Sequence, residues 1–116
     1  MRLELDETHL SIHLTRGEKI LAVHGDITIP LAEITSVSVD PDPMQSIRGH
    51  LLVGLRVPRR RYLCTSGLGR EFWAVRGRRP ALQVSFTGRR LRMATISIPD
   101  PEGIAERIHL RRRALS

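Results

Sequence analysis

The sequence predicts a mainly β protein with one C-terminal α-helix, and three observations predict this class. Short runs of apolar and β-branched residues recur along most of the chain, separated by turn segments rich in Gly, Pro and Arg. The last of these runs is followed by "PDPEGIAERIHLRRR", which carries the start signals and the apolar stripe of a helix. The chain has 116 residues and no internal repeat or low-complexity linker, so residues 1–116 are expected to form a single domain.

The N-terminal part of the chain predicts four strands and contains one undecided segment. Alternating apolar residues at 3–5 and 10–14 indicate two short strands or one bulged hairpin. Residues 16–23, "RGEKILAV", fit a helical turn or a strand equally well. The segment 27–39 alternates around a proline and predicts two strands with a turn. The Asp-Pro repeat that follows favours extended backbone and starts an exposed loop that runs to Gly49.

The next part of the chain predicts five consecutive strands joined by short turns. Turn residues occur at the spacing of an antiparallel meander. In the last strand, the face formed by Ala94, Ile96 and Ile98 is expected to point into the core. The predicted strands are 50–57, 61–66, 70–76, 81–86 and 92–98.

The C-terminal helix is the best-marked element of the sequence. Asp100 can cap it, Pro101 suits its first position, and Glu102 complements the positive end of the helix dipole. An apolar stripe runs along 104–108, and the arginines at 111–113 fall in the last turn, where cations are favoured. A single amphipathic helix after a set of strands can plug one open end of a bent antiparallel barrel or sandwich.

Composition bears on the partners and on the location of the protein. The formal net charge is +7 and is carried almost wholly by arginine. Such a charge suits nucleic acid, an anionic membrane or an acidic partner, while a bias toward arginine over lysine can also reflect coding composition alone. A lone cysteine, Cys64, cannot form an internal disulfide, and the chain starts with an alternating segment, so we expect a cytoplasmic protein. The apolar stretches are far shorter than the roughly 20 residues of a membrane-spanning helix, so no transmembrane segment is expected.

Two arginine clusters at strand junctions form the candidate anion-binding site. Alternate junctions of a regular meander lie at the same end of the sheet, so the two clusters could converge. Guanidinium groups in pairs hold phosphate or carboxylate bidentately. The plainer alternative is a solvated sheet edge, where cations discourage pairing with another sheet. The candidate residues are Arg59, Arg60 and Arg61 at the first junction and Arg76, Arg78 and Arg79 at the second.

Phe72 and Trp73 are neighbours in a predicted strand, so their side chains point to opposite faces. Only one of them can lie in the core unless the sheet is covered on both sides. We expect packing rather than base stacking, because large aromatic side chains are mostly buried and a stacking platform needs exposed aromatics among cations.

The sequence contains no pattern that predicts catalysis or a metal site. The five histidines are scattered, with only His9 and His13 on one face of a strand, and no Cys or carboxylate recurs at metal-ligand spacing. The glycines of "TSGLG" precede a strand rather than the helix that a phosphate-cradling loop requires. Cys64 lies in a predicted strand and is expected to be a buried small hydrophobe. We therefore expect no enzymatic activity, no cofactor and no metal.

Three strings, "IPLAEITSVSVDPDP", "REFWAVRGRRPALQVSF" and "ISIPDPEGIAERI", carry a resemblance to a known family. In this order of elements the chain resembles the small bacterial proteins with a pleckstrin-homology-like (PH-like) domain. The resemblance implies a strongly bent antiparallel sheet, or partly open barrel, of about seven strands that the C-terminal helix closes at one end. It also implies a non-catalytic module that binds lipid head groups or peptides. A phosphoinositide-binding member would carry basic residues in its first hairpin loop. The corresponding region of this chain has only Arg16 and Lys19, with Asp26 nearby, so the resemblance does not predict phosphoinositide-binding residues here.

These observations predict one of two functions. The first is a binding or scaffolding module that takes a protein, a peptide or a like subunit by strand addition, either at the open barrel end or at an exposed strand edge. The second is the binding of an anionic lipid head group or nucleic acid through the arginine clusters, with an affinity that collapses as salt is added.

Overall fold

Nine strands and three α-helices form within the described residues of the computed structural model, which are 2–22, 26–46, 53–57, 61–66, 70–77 and 79–115. The strands are β1 (Arg2–Leu5), β2 (His9–His13), β3 (Ile27–Pro30), β4 (Ile34–Asp40), β5 (Val53–Val57), β6 (Arg61–Ser66), β7 (Glu71–Arg76), β8 (Ala81–Phe86) and β9 (Met93–Ile96). The helices are α1 (Arg16–Ala22), α2 (Pro43–Ser46) and α3 (Pro101–Leu115), and a 3₁₀ turn at Leu31–Glu33 joins β3 to β4.

The strands form two sheets. The smaller sheet is antiparallel with the order β1-β2-β3, and the larger has six strands in the order β4-β8-β9-β7-β6-β5. Within the larger sheet β7 and β9 run parallel, while the other neighbours are antiparallel. The predicted meander is interrupted here, because β9 lies between β7 and β8, which are consecutive in the chain. β9 runs antiparallel to β8 and parallel to β7.

The predicted class, mainly β with one C-terminal helix, is confirmed, and the sheet is not closed. The described strands number nine, where the resemblance implies about seven, since the small sheet contributes three strands of its own. The undecided segment 16–23 forms helix α1 over its described part. A capping box starts this helix: the Thr15 N–H donates to Glu18 Oε1 at 2.9 Å, and the Glu18 N–H donates to Thr15 Oγ1 at 3.2 Å.

The main core lies where the two sheets and helix α3 pack together. The period-two alternation that predicted the strands also selects the buried side chains, because successive residues of a strand point to opposite faces. Ala94 and Ile96 are fully buried as predicted, and Ile98 is half-buried against the same core. The core includes Leu10, Ile12, Ile27 and Ile29 from the small sheet, Leu82, Val84 and Phe86 from β8, and Ala105 and Ile108 from α3.

The six-stranded sheet is covered on both faces at β7. Phe72 belongs to the main core, whereas Trp73 lies on the opposite face in a second cluster with Cys64 and Val75. Met44 of helix α2 packs against this second cluster. Both aromatic side chains are therefore buried, which is the packing role predicted for them.

Helix α3 begins at Pro101, as the sequence predicts. The Gly103 N–H donates to Asp100 Oδ1 at 3.0 Å, which is the expected N-cap interaction. Ala105 and Ile108 face the core, so the apolar stripe fixes the helix against the sheet.

We expect opposite effects on stability from alanine at two glycines. Gly54 has φ +127°, and a Cβ there would lie 2.6 Å from the Leu63 carbonyl oxygen, so Gly54→Ala should lower the free energy of unfolding by about 1–3 kcal/mol. Gly17 lies in α1 with nothing within 4 Å of an added Cβ, so Gly17→Ala should raise it by about 0.5–1 kcal/mol. Urea denaturation of both variants measures the two shifts, and a Gly54→Ala midpoint at or above that of the original chain would contradict the close approach of β5 and β6.

Candidate anion-binding site

An open cleft of about 710 Å³ lies at the end of the six-stranded sheet where β6 begins and β7 ends. We call it the arginine cleft. Its described walls are the first residues of β6, the last residues of β7 with the turn that follows, the segment 97–99 after β9, and Glu18 of helix α1. The cationic residues in this lining are Arg61, Arg76 and Arg79.

Arg61 and Arg76 are directly opposite each other in the antiparallel pairing of β6 with β7. The next pair inward with the same facing is Leu63 and Ala74, both of which are buried in the main core. The two arginines therefore continue the core-facing row of the sheet at the point where the core opens to solvent. Like charges directly opposite each other on a sheet are destabilising, so this pair adds nothing to the fold by itself.

The turn after β7 adds a third cation, and α1 adds one carboxylate. Arg79 is exposed in the turn and lines the same cleft. Glu18 Oε2 lies 3.5 Å from Arg61 Nη2, and the Glu18 side chain is 14% exposed. Three arginines and one glutamate leave the described lining with a net charge of +2.

Glu18 stays ionised in this position. Burial acts to raise the pKa of its carboxyl group, but the hydrogen bonds that the carboxylate accepts, including the one from the Thr15 N–H, outweigh burial and hold the pKa below its usual range. The carboxylate is therefore charged at neutral pH and lies beside the Arg61 guanidinium. An incoming anion must compete with it.

The inner part of the cleft is apolar. Leu63 and Ala74 line it from the sheet, and the half-buried Ile98 lines it from the segment after β9. Pro80 and Pro99 form exposed parts of the rim. The cleft thus combines a cationic mouth with an apolar interior, which is the arrangement that suits an amphipathic anion.

Hydrogen bonds between β7 and the segment after β9 hold the wall that carries Arg76. The Arg76 N–H donates to Ser97 Oγ at 2.9 Å, and the Ser97 N–H donates to the Ala74 carbonyl at 2.8 Å. The backbone that positions this arginine therefore belongs to the sheet rather than to a loop, which favours a preformed site.

The structure brings together three of the six predicted site residues. Arg61, Arg76 and Arg79 line one cleft, so the described members of the two clusters converge at one end of the sheet. Arg59, Arg60 and Arg78 lie outside the described residues. Sequence reasoning missed Glu18, although the spacing of Thr15 and Glu18 in "TRGE" is a capping-box signal that could have placed this carboxylate at a helix start.

A second polar cluster lies on the small sheet and has a structural role. His13 Nε2 lies 3.3 Å from Glu4 Oε2, and His13 Nδ1 lies 3.4 Å from Asp26 Oδ2. Asp26 also accepts the Leu14 N–H at 2.8 Å, and this bond, assisted by His13, lowers the pKa of Asp26. Within the described part of the chain, no group of three or more His, Cys, Asp or Glu residues is arranged to hold a metal ion.

The described lining of the arginine cleft is mixed in chemistry. It offers guanidinium groups, the Glu18 carboxylate, Tyr62 and apolar side chains, and the Ser97 hydroxyl in its wall accepts a backbone N–H. Cys64, the one thiol, is buried against Trp73 on the other face of the sheet, as predicted for a small hydrophobe.

None of the helices seen in the described residues is both long enough and apolar enough to cross a membrane. Comparison with known protein families, with curated proteins and with solved structures found no match to this chain.

Proposed function

We propose that this protein is a non-catalytic binding module of the cytoplasm, and that its arginine cleft holds the anionic group of a small amphipathic molecule. One observation carries the proposal: Arg61 and Arg76 stand opposite each other at the end of a sheet row whose next pair, Leu63 and Ala74, is apolar core. The single cysteine of the chain, Cys64, cannot form an internal disulfide, which is consistent with a reducing compartment. The PH-like architecture stays a prediction.

A bound anion would supply a negative charge between Arg61 and Arg76. The two guanidinium groups carry like charges at directly opposed positions of the sheet, and the Glu18 carboxylate lies 3.5 Å from the Arg61 guanidinium. A phosphate or carboxylate between the arginines would accept hydrogen bonds from both and remove the repulsion. Hydrogen bonds to charged groups contribute about 1.5–3 kcal/mol each, so two of them would make a substantial contribution to the free energy of binding.

The apolar interior favours an amphipathic ligand over nucleic acid. Sites for single-stranded nucleic acid stack bases on exposed aromatic side chains. Here Phe72, Trp73 and Phe86 are buried, and Tyr62, the remaining aromatic residue, is half-buried. A short alkyl chain attached to the anion would instead contact Leu63 and Ile98.

The test is calorimetric titration of the protein with octyl phosphate, octanoate, inorganic phosphate and octanol at low and at physiological salt. We expect the two amphipathic anions to bind more tightly than either phosphate or octanol alone, and their affinity to fall as salt is added. Parallel titrations with anionic vesicles and duplex DNA distinguish a free ligand from a membrane or nucleic acid. Octanol binding as tightly as octyl phosphate, or DNA binding most tightly of all, would contradict the proposal.

A matched pair of variants locates the binding within the protein. Glu18→Gln removes the competing charge but keeps an oxygen that can accept the Thr15 N–H, so the capping box survives and the affinity for octyl phosphate should rise severalfold. Glu7→Gln changes the net charge by the same amount at an exposed turn and should leave the affinity unchanged. Equal increases in both variants would show that net charge, rather than the cleft, controls binding.

A further inference from the structure

The central residues of β4, 36–39, carry no charge, proline or bulge at the outer edge of the six-stranded sheet. Natural proteins protect exposed edges with charged residues, proline or bulges, because an unpaired edge offers backbone hydrogen bonds to any other strand. Among the edge strands in the described residues, β1 contains Arg2 and Glu4, and β3 ends at Pro30. β4 reads "ITSVSVD", with its single charge at the last position.

The backbone of β4 is regular where a second strand would pair. The register with β8 shifts only between Ile34 and Ser36, and residues 36–40 follow in an unbroken antiparallel ladder. Thr35, Ser36 and Ser38 are exposed and small, so their own side chains leave the edge accessible. In the described part of the chain, no strand pairs with β4 on its outer side.

Helix α3 runs beside this edge and adds a charge pattern. A groove of about 400 Å³ separates it from residues 37–39 of β4. On the helix, Glu102 and Glu106 line the first half of the groove and Arg113 lines the second. Leu110 lies between them and is 55% exposed, one of two large apolar side chains in the described residues that are at least half exposed.

We propose that β4 pairs antiparallel with β4 of a second copy of this chain, about a twofold axis centred on Ser38. The two six-stranded sheets then form one continuous sheet. A twofold axis perpendicular to the sheet also sets the two α3 helices antiparallel, so Glu102 and Glu106 face the partner's Arg113 and Leu110 is covered at the centre. The self-complementary charge order of the helix is what selects a second copy over an unrelated peptide.

The test is the molar mass in solution, measured by sedimentation at physiological salt. We expect a dimer for the original chain. Ser38→Lys and Ser38→Glu each place like charges opposite each other at the centre of the interface, so each should weaken dimerisation about tenfold or more. An equimolar mixture of the two variants should recover a dimer, because opposite charges then meet. This recovery also shows that both variants are folded.

Thr28→Lys is the matched control, since it adds the same charge to an exposed position of β3, another edge strand. It should leave the dimer intact. A monomeric original chain at every concentration reached overturns the proposal, as does a Ser38→Lys variant that dimerises like the original. Recovery of an unrelated peptide on β4 of a monomeric chain would assign the edge to that partner instead.

Discussion

Replacing Trp73 with alanine is expected to lower the free energy of unfolding by about 3–5 kcal/mol. Trp73 is 2% exposed and is the largest member of the cluster that covers the second face of the six-stranded sheet. Small domains are stable by about 5–15 kcal/mol in total, so this single change removes a large part of the margin.

Urea denaturation followed by circular dichroism measures the loss, because the substitution also removes the only tryptophan fluorophore. Leu115→Ala is the control, since Leu115 is 50% exposed at the end of α3 and should change stability by no more than about 0.5 kcal/mol. A Trp73→Ala loss as small as that of the control would mean that the second face of the sheet is not packed.

Arg76→Glu is expected to weaken the binding of octyl phosphate by about 10- to 100-fold while leaving the fold as stable as before or slightly more stable. The substitution removes one guanidinium donor from the arginine cleft and places a carboxylate directly opposite Arg61. An opposite-charge pair at this register contributes about 0.2–1 kcal/mol to a sheet, where two arginines repel.

The opposite directions of these two effects separate a binding role from a structural one. Calorimetry gives the affinity and urea denaturation gives the stability of the same preparation. Arg107→Glu makes the same change of charge on an exposed position of α3 outside the cleft lining, and it should retain binding. Loss of stability together with loss of binding in Arg76→Glu would assign this arginine to the fold.

The strands and the C-terminal helix could be predicted from the sequence because their signals are local. Alternation at Leu10 and Ile12, and the Asp100-Pro101 start of α3, each lie within a few residues. The position of β9 could not be predicted, since its insertion between β7 and β8 depends on contacts between distant segments. The burial of Thr95 could not be predicted either, because a polar side chain is expected at the surface. Thr95 is fully buried, and its Oγ1 accepts a hydrogen bond from the Gln83 side chain at 3.2 Å.

The candidate site was predictable in part, because some of its signals are also local in the sequence. The sequence placed arginines at strand junctions, and the antiparallel pairing of adjacent strands then set Arg61 opposite Arg76. Glu18, the carboxylate of the arginine cleft, lies on a helix and precedes Arg61 by 43 residues in the chain. No local pattern encodes that contact, because it depends on how α1 packs against β6.

The insertion of β9 has a consequence for how this chain folds during synthesis. Before residues 93–96 emerge from the ribosome, the larger sheet can exist only as two unconnected pieces, β5-β6-β7 and β4-β8. Each piece then exposes an inner edge, and the residues on it, such as Phe72 and Val84, are fully or almost fully buried in the finished protein. Nascent chains at this stage are prone to pair with one another. The four residues of β9 pair with both pieces, so the six-stranded sheet is complete only once this late segment is in place.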